Sequence, residues 1–412
     1  MPLDADAEDR PATSTRWTVR APATLELLAE LDGTPLTELA ERAQRGRRAA
    51  RHWRTLAASE RRRRLLAARD RLLAELDALA SLVSQETGKP YHEAALHEVL
   101  ALVDALTWQM GRAEELLQPR QLTPHLLPHR VSVLEREPVE LVGVIAPSNF
   151  PLLIGLSEAF AAAAMGAAAL VKPSEHTPLA TRAALALLAQ DELLGELLQP
   201  VFGGPELGEA LIAQVDRLVF TGSAHHGAQV AACCARARVP CVLELSGCTP
   251  LLVTEGAELE RTARAIVFGG FANAGQACIS VERVFVPRRL HDELAQRVSR
   301  LAMSLRVGSG RGDFDVGALT TEETLLRVER HVADALAKEA TLLCGGQRLP
   351  REGRFFAPTV LANCTLDMLV LQEETFGPVV PLMAVDSEEE AVEAANGLGR
   401  QLCAYVFGPS AA

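Results

Sequence analysis

Apolar residues change their period along this chain, and each period marks a different kind of element. From Leu36 to about Leu117, Leu, Ala and Trp recur every three or four residues, the spacing of helices with one buried face. Glu86-Thr87-Gly88-Lys89-Pro90 interrupts that stretch as a stop signal, with Gly to end a helix and Pro to bar its continuation. Val131-Ser132-Val133-Leu134-Glu135 then alternates with a period of two, and an apolar run from Val139 to Ala146 follows. The pair predicts a projecting β-hairpin over 131–146. Beyond it, short apolar runs alternate with Ala- and Leu-rich helical stretches: Leu141 to Ala146, Ala168 to Val171, Val201 to Phe202, Arg217 to Phe220 and Cys241 to Leu245. Such alternation predicts a parallel sheet covered on both faces, with nucleotides bound at the carboxyl ends of its strands. A second unit follows Gly247, with a helix near Leu259 to Phe268, a Gly-containing loop around Cys278 and a strand at Val284-Phe285-Val286.

Length changes this picture in one respect. A chain of 412 residues, 48% hydrophobic, exceeds the roughly 250–300 residues at which single cores stop growing, so at least two domains are expected. The apolar stretch Phe150 to Val171 is about as long as a membrane span, but Pro151, Ser157 and Glu158 count against that reading, and the region reads as strand, helix, strand. A net charge of −12 argues against a nucleic-acid partner, whose phosphates need Lys and Arg. The Arg61 to Arg64 run is the local exception, and its apolar neighbours at helical spacing make it a solvated helix face. Eight cysteines show no CxxC pair and no zinc spacing, so no metal is expected and a reducing compartment is. Asp4, Asp6, Glu8 and Asp9 leave no apolar export signal in the first residues, which points to the cytoplasm.

Several segments carry candidate chemistry. Phe220-Thr221-Gly222-Ser223-Ala224-His225-His226-Gly227 follows a strand and opens an Ala-rich helix, so its backbone amides can face a pyrophosphate. It departs from the common G-x-G-x-x-G pattern, and alone it is an ordinary strand-to-helix turn. Lys172-Pro173-Ser174-Glu175 also follows a short strand, where an ammonium and a carboxylate suit ribose hydroxyls; its other reading is a surface turn. Glu244 stands at the end of the apolar strand Val242-Leu243-Glu244-Leu245, where desolvation is expected to raise its pKa toward that of a general base. Cys278 lies in Asn273-Ala274-Gly275-Gln276-Ala277-Cys278, a tight segment after an apolar run.

Together with Pro147-Ser148-Asn149-Phe150-Pro151, and in this order from about Trp17 to about Phe407, these segments resemble the aldehyde dehydrogenase superfamily. The resemblance implies an α/β protein with a parallel-sheet dinucleotide-binding domain, a Rossmann variant, from residues 1–130 and 147–246. An oligomerisation hairpin at 131–146 and a second α/β catalytic domain at 247–412 complete it, with homo-oligomers as the expected assembly. Cys278 becomes the nucleophile that attacks an aldehyde, giving a thiohemiacetal and then a thioester. The side-chain amide of Asn149 and the backbone N–H of Cys278 match the oxyanion donors. Glu244 matches the base that activates water, and its presence points to a free acid rather than a coenzyme A ester as product. Lys172 and Glu175 match the adenosine-ribose site, Gly222, Ser223 and Gly227 the phosphate loop, and Glu374 and Phe376 the nicotinamide side. By themselves the last two are a strand start with one exposed acid. A glutamate at 175 repels a 2′-phosphate, so NAD is expected rather than NADP.

The match breaks in places. The tryptophan usual before Asn-Phe-Pro is Ser148, the usual Gly-Gly-Lys after the base is Ser246-Gly247-Cys248, and a downstream Tyr-Gly is Arg400-Gln401. Family members usually continue for some dozens of residues beyond the place where this chain stops, at Ala412, so a shortened second domain with an uncovered sheet edge is expected. Two other function classes are a cofactor-independent thiol esterase and a non-catalytic partner with the same fold. No histidine stands in a partner motif for the first, and the joint presence of Cys278, Glu244 and Asn149 argues against the second.

Overall fold

A computed structural model describes residues 16–126, 129–397 and 401–409; the acidic first residues and Arg400 lie outside the described residues. Strands β1 (Arg16–Arg20) and β2 (Leu27–Asp32) pair antiparallel. Helices Leu36–Thr55, Ala58–Ala74 and Leu76–Thr87 follow, each burying residues three and four apart. Arg63 and Arg64 of the basic run are ion-paired to Glu60, and Arg64 also to Asp191. The third helix stops at Gly88, whose φ of 83° is the left-handed C-terminal cap that glycine adopts without a Cβ penalty. The next helical stretch runs from Tyr91 to Leu117 with a π turn at Ala95–Leu100.

The hairpin differs from its expected position. Strand β3 (Arg120–Leu122) pairs antiparallel with β4 (Ser132–Leu134), whereas β5 (Leu141–Ile145) leaves the hairpin and enters a sheet. The reason is burial: Leu141, Val142 and Val144 are all enclosed, as in a central parallel strand, while Ser132–Leu134 is exposed.

That sheet has five parallel strands in the order β7-β6-β5-β8-β9, with β6 at Ala168–Lys172, β7 at Leu198–Pro200, β8 at Arg217–Gly222 and β9 at Cys241–Leu245. Helix Leu153–Met165 links β5 to β6, and Trp53 from the first long helix is wholly buried with its indole N–H donated to the Ala163 carbonyl at 2.8 Å. Both oxygens of buried Glu86 accept backbone N–H bonds, from Leu179 at 2.6 Å and Ala180 at 3.0 Å, at the start of helix Leu179–Leu188. No helix of the described residues is long and apolar enough to cross a membrane.

A six-stranded sheet follows, in the order β12-β13-β14-β11-β10-β15. Its strands are β10 (Pro250–Val253), β11 (Arg283–Pro287), β12 (Thr341–Cys344), β13 (Thr359–Ala362), β14 (Val379–Val385) and β15 (Tyr405–Phe407). Only β12 runs antiparallel to its neighbour, and β15 forms one edge beside β10. Among the described residues the two largest cores are one built from Leu39 through Cys234 and one from Leu251 through Leu382, with smaller clusters around Phe285 and around Val19.

Candidate active site

The first sheet ends in a row. Lys172 closes β6, Gly222 closes β8 and Leu245 closes β9, so the carboxyl ends of three parallel strands carry most of the residues singled out from the sequence. Beyond β8, helix Ala224–Ala237 starts with Ser223 as its cap, the Ser223 Oγ accepting the His226 N–H at 3.3 Å. Gly227 sits where a Cβ would lie 2.3 Å from the Leu245 side chain, so only glycine lets this helix approach β9. Lys172 is buried and its Nζ lies 3.5 Å from a Glu175 carboxylate oxygen, which keeps the Glu175 acid low against the cost of its burial.

Cys278 follows helix Leu259–Phe271 through a turn in which Asn273 (φ 52°), Ala274 (φ 54°) and Gly275 (φ 72°) all take left-handed conformations. For residues other than glycine, such backbone costs on the order of 1–3 kcal/mol each, so the surroundings must hold it. They do. Glu93 Oε1 accepts the Asn273 N–H at 2.8 Å, the Asn273 amide donates to the Gln276 carbonyl at 2.9 Å, and Gln276 Oε1 accepts the Thr320 N–H at 2.9 Å. A Cβ on Gly275 would lie 2.1 Å from the Gly377 carbonyl oxygen, so this loop rests directly on the segment after Phe376.

The Cys278 thiol is half-buried. Burial raises its pKa, its own backbone N–H pulls the other way, and the nearby Cys403, Glu374 and Glu244 add to the rise. Alkylation of the free protein by iodoacetamide should therefore accelerate with pH beyond the ordinary thiol range of about 8.5. Glu244→Gln removes one raising charge and should lower that midpoint; an unchanged midpoint would place Glu244 out of reach of the thiol.

Asn149 reaches the same loop from the other side. Its amide Nδ2 donates to the Gln276 carbonyl at 2.9 Å, which occupies one of its two hydrogens and leaves the second for an incoming oxygen. The residue is fixed by a buried ion pair. Lys89 Nζ donates to the Asn149 carbonyl at 2.8 Å and to Glu98 Oε1 at 2.9 Å, and lies 4.2 Å from the centre of the Phe150 ring. Glu98 Oε2 accepts from Leu152 N (3.1 Å) and Leu153 N (2.8 Å), holding the start of helix Leu153–Met165. Sequence reasoning took the Lys89 segment only as a helix stop.

Glu244 departs from expectation. It is exposed rather than desolvated, because β9 is the edge strand of its sheet and alternates between half-buried and exposed positions. Its solvent access suits a group that must meet water. Glu158, on helix Leu153–Met165, lies within its electrostatic reach, and burial together with Glu244 raises the Glu158 acid. Glu374 is half-buried and its acid is raised chiefly by that burial, with a compensating hydrogen bond: Ser246 Oγ donates to Glu374 Oε2 at 2.6 Å, while the enclosed Oε1 has no partner. Phe376, at a φ of 53°, is held by Glu282, whose two oxygens accept the Thr375 and Phe376 N–H groups at 2.8 and 2.7 Å.

Cys278, Glu244 and Glu374 thus share one electrostatic neighbourhood, with Asn149 bonded to the loop that carries the thiol. Lys172, Glu175 and Gly222–Gly227 lie on the strand-end row of the first sheet. The glycine cradle at a helix start and the unpartnered, buried Glu374 Oε1 fit a dinucleotide spanning that row.

Comparison with known proteins places the chain in a family. The profile of the aldehyde dehydrogenase family matches residues 10–412. A protein of Mycolicibacterium smegmatis described as a putative succinate-semialdehyde dehydrogenase [NADP(+)] is 37% identical over 371 residues, 89% of this chain and 71% of that protein. The solved structure of PutA, a putative aldehyde dehydrogenase from Anabaena variabilis, superposes with a TM-score of 0.91 at 33% identity, covering 96% of this chain and 84% of that one. An aldehyde dehydrogenase from Bacillus cereus, solved as an NAD+ complex, gives a TM-score of 0.90 at 29% identity over 95% of this chain and 81% of its own. The chain belongs to the aldehyde dehydrogenase family of oxidoreductases.

Proposed function

We propose that the protein oxidises an aldehyde to the free carboxylic acid with NAD, using Cys278 as nucleophile, Asn149 as oxyanion donor and Glu244 as general base. The observation that carries this reading is the convergence of the three on one loop: the Asn149 amide bonded to Gln276, and Glu244 within electrostatic reach of the thiol two residues further on. Attack by Cys278 sulfur places negative charge on the former carbonyl oxygen, which the free Asn149 hydrogen and the Cys278 N–H stabilise. NAD, when bound, supplies the hydride acceptor. Lys172 and Glu175 would hold its adenosine ribose, the Gly222–Gly227 segment its phosphates, and Glu374 and Phe376 its nicotinamide end. Glu244 then takes a proton from water as that water attacks the thioester, and Cys278 leaves as thiolate.

The names of the relatives make succinic semialdehyde the first substrate to test, and the NADP(+) in one of them makes the choice of cofactor part of the experiment. A panel of aldehydes is followed for NADH or NADPH formation. NADH from one or more aldehydes, with NADP the poorer cofactor because of Glu175, is the expected result. No reduced cofactor from any aldehyde would overturn the reading, and a preference for NADP would remove Glu175 from its assigned role. The same reading makes the protein a cytoplasmic homo-oligomer. The exposure of Leu122, Val131, Val133 and Leu134 on the hairpin supports a contact between subunits there.

A further inference from the structure

Ser246 touches both walls of the proposed cofactor cleft. Its backbone N–H donates to the carbonyl of Gly222, the first residue of the phosphate loop, at 3.3 Å. Its hydroxyl donates across to Glu374 Oε2, in the second unit, at 2.6 Å. Glu374 is half-buried, but its other oxygen, Oε1, is enclosed and has no hydrogen-bond partner. A buried carboxylate oxygen without a donor costs free energy unless a ligand provides one. Ser246 thus fixes the carboxylate by one oxygen and leaves the second as its only open acceptor.

We propose that Ser246 is a cofactor-positioning residue, a strap that holds Glu374 by Oε2 so that Oε1 meets a ribose hydroxyl at the nicotinamide end of NAD. The inference rests on the assignment of Glu374 to that end of the cofactor. Without the strap, Glu374 is free to rotate about its side-chain torsions, and part of the binding free energy goes into ordering it. The loss should fall on the nicotinamide half alone, because the backbone bond from Ser246 to Gly222 survives any side-chain change.

The test measures binding, not turnover. Dissociation constants for NAD and for AMP, which occupies the adenosine half only, are determined by calorimetry on the wild type, Ser246→Ala, Ser246→Thr and Glu374→Ala. Thermal midpoints confirm that each variant is folded. Ser246→Ala should weaken NAD roughly tenfold, the worth of a hydrogen bond to a charged group, and leave AMP unchanged. Ser246→Thr keeps the hydroxyl and should recover most of the NAD affinity. Equal loss of NAD and AMP affinity in Ser246→Ala would mean that the residue acts through the phosphate loop, which overturns the strap. Wild-type NAD affinity in Ser246→Ala with weakened binding in Glu374→Ala would overturn it too, while leaving Glu374 in its place. If Glu374→Ala also binds NAD normally, the assignment of Glu374 itself fails and the inference goes with it.

Discussion

Cys278→Ala is expected to abolish aldehyde oxidation while NAD affinity stays unchanged, because in the proposed mechanism the sulfur makes the covalent intermediate and the proposed phosphate loop closes a strand of the first sheet. Its partner experiment separates the two halves of the reaction. Glu244→Gln keeps the size of the side chain and removes the base, so the first turnover should proceed and the thioester should persist. Rapid mixing should then show a burst of NADH near one per active site, followed by a steady rate lower by roughly a hundredfold to ten-thousandfold. Equal loss in burst and steady rate would mean that Glu244 serves an earlier step.

Lys89→Met should have the largest effect on stability. The ammonium and its Glu98 partner are almost completely buried, and removing one member of such a pair costs about 3–5 kcal/mol because the other is left uncompensated. The damage should also reach the chemistry. Lys89 bonds the carbonyl of Asn149, so its loss lets the proposed oxyanion donor shift, and kcat should fall by more than KM rises. Chemical denaturation and steady-state kinetics on one preparation check both. A variant as stable and as active as the wild type would mean that Asn149 is held in place by Asn273 and Gln276 alone.

Much of this arrangement is legible in the sequence, for identifiable reasons. Strands β5, β6, β8 and β9 read as apolar runs, and two of them, β5 and β6, are buried among helices and neighbours. The apolar pair Val201–Phe202 predicts the third run of the sheet, but β7 is Leu198-Gln199-Pro200, which has no run of its own to mark it. Arg120-Gln121-Leu122 is exposed and without period, so the true partner of the hairpin gives no signal. Glu244 looks buried because its neighbours in sequence are apolar; that β9 is an edge strand is a fact of strand order, which local pattern does not encode. Lys89, Glu98, Glu93 and Glu282 are invisible for a different reason. A charged residue reads the same whether it is solvated or enclosed, and Lys89 meets Asn149 across 60 positions of chain.

Those enclosed glutamates impose a rule of acceptor counting on any relative or redesign of this protein. At Glu86 and Glu282 each carboxylate oxygen accepts a backbone N–H, and at Glu98 one oxygen accepts the Lys89 ammonium while the other accepts two backbone N–H groups. Glutamine has the same shape but one acceptor, so its NH2 would face a donor in every orientation. Glu93 is the exception, since only one of its oxygens is engaged, and an amide can present its carbonyl to Asn273 with the NH2 turned away. The isosteric exchange usually treated as conservative is thus disruptive at three of these sites and admissible at the fourth.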